Sequence, residues 1–247
     1  RDPWNDLPNY PKSFGNERRK KKSIEIEKFS LDLADQVVTV TKGFAKCFRK
    51  ITSTPVQVIY SGYPGDPVFK SNQKHNNKIS LIYAGGFAHG RDLALLDFLY
   101  RVKDAELLDQ LTLVVYSSSS QKVRCMLEEH NLEKYVKLRE PISYEKLLTI
   151  IPQFSYGLHL NGKDSRNALS TKIFDYISVG VPVLSINYGD EIHSFIQENG
   201  FGLSLSLKKF PAMKNLRMLL TKPIKLNRKR VYDFSYKVIA KKFLQFF

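Results

Sequence analysis

Three stretches of the sequence combine glycines or polar side chains with predicted strand ends in the way that anion and hydroxyl binding requires. The first is the run GGFAHGR at 85–91, which directly follows a hydrophobic run at 79–84. Glycines let a ligand approach the backbone closely, and Arg91 is predicted to begin the next helix, where the helix dipole and the guanidinium both favour an anion. A glycine after a strand also serves a simple tight turn, so this loop alone leaves both interpretations open.

The second stretch is the polar run NGKDSRNALSTK at 161–172, between a predicted strand and a helix with its cap at Ser170 or a neighbour. The apolar side chains of that helix form a buried stripe, which turns Lys172 and Asp175 toward another face, three residues apart and adjacent. One interpretation is an ordinary i,i+3 salt bridge. The other is a cation for phosphate beside a carboxylate for vicinal hydroxyls.

The third stretch is LREPI at 138–142, where Pro141 fixes a turn whose backbone groups could contact the edge of a planar ring. His159 lies inside a predicted strand and is interpreted as a strand histidine rather than a catalytic one. The sequence contains no Ser-His-Asp order, no Cys/His cluster with metal-ligand spacing and no Walker loop. We therefore predict neither a metal site nor a nucleophile.

Alternating helical and extended segments must position these stretches. The pattern α-β-α-β covers residues 24–60, a turn-rich polar segment follows at 61–78, and the strand-helix alternation restarts at 79. Two more helices are predicted, at 212–220 and at 225–247. Strands separated by helices of about three turns imply right-handed crossovers and a parallel sheet covered on both faces, so the predicted class is doubly wound α/β. Ligands bind beyond the carboxyl ends of such strands, where all three stretches lie.

The composition is that of a folded protein. The 247 residues are 43% hydrophobic and 26% charged, which excludes a disordered chain, a collagen-like repeat and a coiled coil. No apolar run approaches the ~20 residues that span a bilayer. Cys47 and Cys125 each lie in an amphipathic pattern and are predicted to be buried, reduced side chains of a cytoplasmic protein.

Most of the net charge of +15 lies at the two ends of the chain. Residues 1–22 hold seven basic and three acidic side chains, and residues 222–247 hold eight basic and one acidic. The nearly balanced centre argues against a nucleic-acid-binding body. The basic run at 18–22 is either a solvated helix start or a contact for an anionic membrane surface or ligand, and the aromatic C-terminal helix either docks on the protein's own core or covers a membrane or partner surface.

Four motifs in order along the chain resemble a known family. The string TKIFDYISVGVPVL at 171–184 is similar to a signature of family 4 retaining glycosyltransferases with the GT-B fold. The strings RDPW at 1–4, ADQVVTV at 34–40 and VIYSGY at 58–63 resemble three further pieces of these enzymes.

This resemblance implies two Rossmann-like domains with parallel sheets. The C-terminal part of the first, acceptor-binding domain would cover 1–60, a linker 61–78, and the second, nucleotide-sugar-binding domain 79–224. A C-terminal helix at 225–247 would pack back toward the first domain. The resemblance also implies that an N-terminal portion of the first domain precedes Arg1.

The resemblance carries roles to individual residues. Asp175 occupies the position of a glutamate that binds the donor ribose hydroxyls, and Asn167 stands eight residues earlier, where many members have the first glutamate of the pair. Gly86 stands where an arginine is common, and Arg91 is the nearest match to the family's other diphosphate-binding cation. Lys172 is interpreted as a replacement for the missing charge.

The implied activity is transfer of a sugar from a nucleotide-sugar donor to a glycan or lipid-linked acceptor, with retention, in surface polysaccharide biosynthesis. Arg91 and Lys172 would stabilise charge on the leaving diphosphate without a metal or a cofactor, and the loop ending at Ser170 and the turn at Pro141 would complete the donor site. The enzyme would be cytoplasmic, either free or peripheral at the inner membrane face. The alternatives are a nucleotide-sugar epimerase of GT-B-like fold and a non-enzymatic basic protein that binds anionic membranes or nucleic acid.

Overall fold

The residues that the structure describes form two parallel sheets. The computed structural model describes residues 16–69, 78–163, 168–188, 191–222 and 224–246. The RDPW motif at 1–4, the segment 70–77 and Asn167 lie outside the described residues.

The first sheet has two strands with a helix between them. In chain order the elements are α1 (Glu17–Asp32), β1 (Val37–Thr39), α2 (Lys42–Phe48) and β2 (Val56–Val58). The Asn16 side chain accepts the Arg19 N–H at 2.9 Å and so fixes the start of α1, and Thr41 caps α2 in the same way. Phe44 and Phe48 of α2 pack on the strands in a small core.

The second sheet has six strands, all parallel, with helices on both faces. Its elements are β3 (Ile79–Ala84), α3 (Arg91–Asp104), β4 (Leu111–Tyr116), α4 (Ser120–Glu129), β5 (Val136–Arg139), α5 (Tyr144–Ile150), β6 (Tyr156–Leu160), α6 (Lys172–Ser178), β7 (Val183–Asn187), α7 (Glu191–Asn199), β8 (Gly202–Ser206) and α8 (Met213–Thr221). The predicted parallel α/β class is confirmed.

The strand order β5-β4-β3-β6-β7-β8 places the change of winding direction between β3 and β6. The chain proceeds from β3 outward to β5, then returns to the other side of β3 and proceeds outward to β8. Connections leave the carboxyl ends of β3 and β6 in opposite directions, which opens a crevice between them.

Alternate residues of the strands contact different helix layers. Leu81 and Tyr83 pack in the core that contains α3, whereas Ile82 between them packs in the core that contains α6 and α7. A tyrosine hydroxyl is satisfied in each core, because Tyr83 donates to the Gly86 carbonyl at 2.7 Å and Tyr176 donates to the Leu158 carbonyl at 3.2 Å. This double burial explains the nearly continuous apolar strands in the sequence.

The C-terminal region differs from the single helix predicted over 225–247. The structure has a short helix α9 (Arg228–Val231), a 3₁₀ turn (Tyr232–Phe234) and a separate helix α10 (Tyr236–Leu244). Ser235 between them is extended, and its side chain caps α10. The break follows from pairing with Tyr63, which donates its N–H to the Phe234 carbonyl at 3.1 Å and accepts the Tyr236 N–H at 2.9 Å.

The exposed apolar side chains of this region lie on α10 and just after it, where Leu244 remains 70% and Phe243 40% exposed.

Of the two cysteines, Cys47 is buried as predicted, but Cys125 is exposed on α4. Within the ranges given above, no helix is both long and apolar enough to cross a bilayer.

Candidate functional site

The crevice between β3 and β6 is lined by two closely packed backbone loops. After β3 the chain takes a positive φ at Gly85 (142°), His89 (60°) and Gly90 (76°). After β6, Gly162 lies against the His89 carbonyl so closely that a Cβ on Gly162 would overlap it. Glycine is therefore required at 162, and the two loops form one surface at the switch point.

Lys172 is the first residue of α6 and extends across this surface to the end of β3. A Cβ at Gly85 would lie 2.6 Å from the Lys172 Nζ, so the absence of a side chain at 85 makes room for the ammonium. By contrast, a Cβ at Gly86 would meet no atom within 4 Å. The family resemblance predicts Gly86 as a donor-site position, and Lys172 packs against the neighbouring Gly85.

The Lys172 ammonium is half-buried, and its surroundings disfavour its charge. Burial and the nearby Arg91 guanidinium lower the pKa of Lys172, against a smaller opposing effect of Asp175. Its Nζ lies 5.7 Å from the centroid of the Tyr83 ring. Among the described residues no carboxylate lies within 4 Å of it, so the salt bridge with Asp175 considered above does not form. Two neighbouring cations with no carboxylate of the described residues within 4 Å favour an anion at this position.

Arg91 is the first residue of α3, as predicted, and lies beside the crevice. The preceding Gly90 adopts the left-handed conformation and makes no side-chain cap. The Leu93 N–H in this first turn donates to the Asp92 Oδ1 at 3.0 Å, so the Arg91 guanidinium is the group that favours negative charge here.

Asp175 lies one turn along α6 from Lys172. Its Oδ1 accepts the hydroxyl of Tyr144, the first residue of α5, at 2.9 Å. Burial raises the pKa of Asp175, while the Tyr144 hydrogen bond and the Lys172 charge lower it. The carboxylate is thus half-buried and held by a phenol from a neighbouring helix, an arrangement that the sequence pattern did not indicate.

The other predicted site residues occupy different positions around the crevice. Pro141 is exposed in the turn between β5 and α5, and β5 is the edge strand two places from β3. Ser170 is half-buried and its carbonyl accepts the Ile173 N–H at 3.3 Å, but the N-cap of α6 is Thr171 rather than Ser170. The turn at Pro141 leads directly to Tyr144, which connects it to Asp175.

A buried polar chain runs across the sheet beneath this site. The Asn187 Nδ2 donates to the hydroxyls of Ser185 at 2.9 Å and Ser204 at 2.8 Å. Each hydroxyl is then within hydrogen-bond distance of one histidine Nδ1, at 3.1 Å for His159 and 3.0 Å for His193. A serine hydroxyl that accepts from Asn187 can still donate to the histidine Nδ1 or accept from it, according to the histidine tautomer.

His159 is a strand residue, as predicted, and is neutral at physiological pH. Burial, with smaller effects of Lys172 and Arg91, lowers its pKa to about 3. The sequence identifies its place in β6 but not the polar chain, because its partners Ser185 and Asn187 look like ordinary strand residues.

We predict that His159 makes the fold acid-sensitive. The pKa is about 6.5 in the unfolded chain and about 3 in the fold, so the stabilisation is complete above pH 6.5 and is lost as the pH falls toward 3. The full difference corresponds to roughly 4–5 kcal/mol. In urea unfolding at pH 8 and pH 5, His159→Gln should lose less stability on acidification than the wild type. Equal losses would contradict this assignment.

A separate set of hydrogen bonds joins the two-stranded sheet region to the six-stranded one. The Glu191 carboxylate, at the start of α7, accepts the backbone N–H groups of Lys42 and Gly43, each at 2.6 Å, and the Tyr60 hydroxyl at 3.1 Å. Burial and the Glu191 charge raise the pKa of Tyr60, so this phenol remains a donor. One carboxylate therefore connects α7 to the first turn of α2.

Removing this contact is expected to destabilise the protein. Glu191→Ala should lower the free energy of unfolding by roughly 1.5–3 kcal/mol, since the hydrogen bonds involve a charged group. Glu198→Ala, on the same helix, is the matched control and should have little effect. Urea unfolding measures both variants, and equal stabilities would show that the Glu191 contact contributes nothing.

The structure also contains a cavity of about 510 Å³ between β2, α7 and α10. Its lining includes Tyr60, Phe195 and Lys242 but none of the predicted site residues.

Comparison with known proteins identifies the fold. No protein-family model and no curated protein sequence matches the chain. Among solved structures, the pneumococcal O-GlcNAc transferase GtfA in complex with UDP and GlcNAc matches 91% of this chain and 47% of its own, with 16% identity and a TM-score of 0.61. Sucrose-phosphate synthase from Thermosynechococcus elongatus matches 95% of this chain and 63% of its own, with 16% identity and a TM-score of 0.65.

Staphylococcus aureus TarM, in a complex that includes UDP, matches 98% of this chain and 48% of its own, with 15% identity and a TM-score of 0.64. The chain thus spans about half to two thirds of the length of these neighbours, from 47% to 63%. Such similarity at low identity concerns architecture. Over the part that it spans, the chain has the GT-B fold of glycosyltransferases.

Proposed function

We propose that this chain carries the donor site of a glycosyltransferase that takes a sugar from a nucleotide-sugar. The observation that supports it most strongly is the Lys172 ammonium, half-buried against Gly85 at the switch point and without a carboxylate within 4 Å among the described residues. Arg91 adds a second cation to the same crevice. A diphosphate fits this arrangement better than a single carboxylate does, because it supplies several oxygens and more than one negative charge.

The remaining predicted residues would contact the other parts of the donor. The Asp175 carboxylate, one turn from Lys172, would accept hydrogen bonds from the ribose hydroxyls. The turn at Pro141 would lie beside the nucleobase, and the loop that ends at Ser170 beside the donor sugar. We propose Gly86 and Asn167 as further donor-site residues on their sequence positions alone, because Gly86 follows Gly85 and Asn167 lies in the loop that ends at Ser170.

The proposed reaction breaks the bond between the anomeric carbon and the diphosphate oxygen, with the electron pair leaving on the diphosphate. The acceptor hydroxyl oxygen forms the new bond on the same face of the sugar, and its proton passes to the leaving diphosphate. Lys172 and Arg91 would stabilise the developing charge, the role that a divalent ion has in other transferases. We propose a metal-independent transfer for this reason, and we propose retention because residues 171–184 resemble a signature of retaining enzymes.

The acceptor and the cellular setting are proposed more broadly. Structural neighbours include a galactosyltransferase of the lipopolysaccharide outer core and another glycosyltransferase of lipopolysaccharide biosynthesis. By analogy, we propose a glycan or lipid-linked acceptor in surface polysaccharide biosynthesis, in the cytoplasm. The basic ends of the chain support a peripheral contact with an anionic membrane face.

Titration with UDP, UMP and uridine tests the donor site. Because the proposed site binds the diphosphate through two cations, affinity should fall in the order UDP, UMP, uridine, with UDP at least about tenfold tighter than uridine. Calorimetry on the chain measures all three. Equal affinities, or no saturable binding of UDP, would overturn the proposal and favour the non-enzymatic alternative. Epimerisation of a UDP-sugar without any acceptor would favour the epimerase.

A further inference from the structure

Tyr144 connects two parts of the molecule to which the proposed function gives separate roles. It is the first residue of α5 and follows the turn at Pro141, which would lie beside the nucleobase. Its hydroxyl donates to the Oδ1 of Asp175 on α6 at 2.9 Å. The base turn and the ribose carboxylate are therefore joined through one phenol.

The position of Tyr144 is fixed by local structure. Ser143 is extended and caps α5, with its hydroxyl oxygen accepting the Lys146 N–H at 3.3 Å. The residue after such a cap has a defined backbone direction, so the ring extends toward α6 without rearrangement of the turn. The residue is nevertheless 40% exposed, which leaves part of the ring accessible to a ligand.

The hydrogen bond occupies only one side of the Asp175 carboxylate. Within the described part of the chain, no group donates to the other oxygen, Oδ2. Each carboxylate oxygen can accept two hydrogen bonds, so Oδ2 is available to one ribose hydroxyl and the second lone pair of Oδ1 to another. A phenol that holds Oδ1 thus sets the plane in which Asp175 receives the ribose.

We propose that Tyr144 is a positioning residue for the donor ribose: its hydroxyl orients the Asp175 carboxylate that receives the ribose. This inference rests on the proposed function and concerns the same site. Tyr144 has no part in the proposed diphosphate contact, so its replacement should affect only the binding of the ribose.

The charges around the pair indicate how the pH dependence should change. Asp175 faces Lys172 on its own helix and Tyr144 from α5, and Tyr144 in turn lies near Tyr236 of α10 and Glu145 of its own helix. Burial and Asp175 raise the pKa of Tyr144, so the phenol stays protonated as a donor. Its hydrogen bond lowers the pKa of Asp175. Without it, Asp175 would be protonated at a higher pH, and ribose binding would be lost earlier on acidification.

The test compares Tyr144→Phe with the wild type, using UDP and 2′,3′-dideoxy-UDP as probes. Tyr144→Phe should weaken UDP binding roughly three- to tenfold. The pH below which UDP affinity falls (the acid limb of its pH profile) should be higher in this variant than in the wild type. The Tyr144→Phe variant should keep the wild-type affinity for the dideoxy probe, since that probe lacks the 2′- and 3′-hydroxyls of the ribose. Tyr236→Phe, an exposed tyrosine beside the pair, is the matched control and should behave as the wild type.

The outcomes separate this inference from the proposed function. If Asp175→Ala weakens UDP but not the dideoxy probe while Tyr144→Phe changes neither the affinity nor the acid limb, Tyr144 has no positioning role and the donor site stands. If Tyr144→Phe weakens both probes equally, its effect is structural and the inference fails. If the wild type does not bind UDP, the proposed function fails and the inference with it.

Discussion

Replacing Lys172 by methionine is expected to weaken UDP binding by roughly ten- to a hundredfold, because a charge-assisted hydrogen bond contributes about 1.5–3 kcal/mol. The ammonium is half-buried at the switch point, against Gly85, where it would contact the diphosphate directly. Calorimetric titration with UDP measures the loss. Lys103→Met, at an exposed position of α3, is the matched control and should retain full affinity.

Lys172→Met should weaken UDP binding without destabilising the fold. Burial and Arg91 lower the pKa of Lys172, so the fold itself disfavours this charge. We expect Lys172→Met to melt at the same temperature as the wild type or above it. The lowered pKa also means that Lys172 in the free protein loses its charge at a lower pH than an ordinary lysine, so UDP affinity should begin to fall correspondingly early on the alkaline side. A large drop in melting temperature, or unchanged UDP affinity, would contradict the assignment.

Replacing Asp175 by alanine should have the second large effect, a loss of roughly ten- to a hundredfold in UDP affinity. The carboxylate would accept hydrogen bonds from the ribose hydroxyls, so the loss should be absent with inorganic pyrophosphate as the probe. Calorimetry with both probes distinguishes ribose contacts from a general loss of the site. Asp104→Ala, at the exposed end of α3, is the matched control.

Asp175→Ala is expected to have only a small effect on the stability of the fold. One interpretation of the pattern was an i,i+3 salt bridge between Lys172 and Asp175, but Asp175 is half-buried and accepts from Tyr144 instead. Burial raises its pKa, so the fold does not favour the charged form. Asp175→Asn, which keeps the shape, should melt close to the wild type. A collapse of the melting temperature in both variants would show that the carboxylate is structural.

The sequence was sufficient for the elements and the sheet class, because apolar strand runs and amphipathic helices depend on local periodicity. The hydrophobic run at 79–84, for example, coincides with β3. It failed at Ser235, where the helical pattern continues but Tyr63, 172 residues away in the chain, pairs with the backbone. Such long-range backbone pairing leaves no periodic signal in the sequence.

The site was only partly predictable for the same reason. Lys172, Arg91 and Asp175 were identified from their positions after strands, and the structure brings the first two to one crevice. The contact of Lys172 with Gly85 was not predictable, since only the path of the Lys172 side chain shows which glycine must lack a Cβ. Tyr144 was missed because an aromatic residue at a helix start more often serves packing, and its partner on α6 is known only from the fold.

The most direct test of the central claim is the structure of the protein with UDP bound. The diphosphate should lie against the Lys172 Nζ and the Arg91 guanidinium, between the loops after β3 and β6, with the ribose hydroxyls on Asp175. A nucleotide bound in the 510 Å³ cavity beside α10, or anywhere else that leaves Lys172 against Gly85 without a phosphate contact, would contradict it.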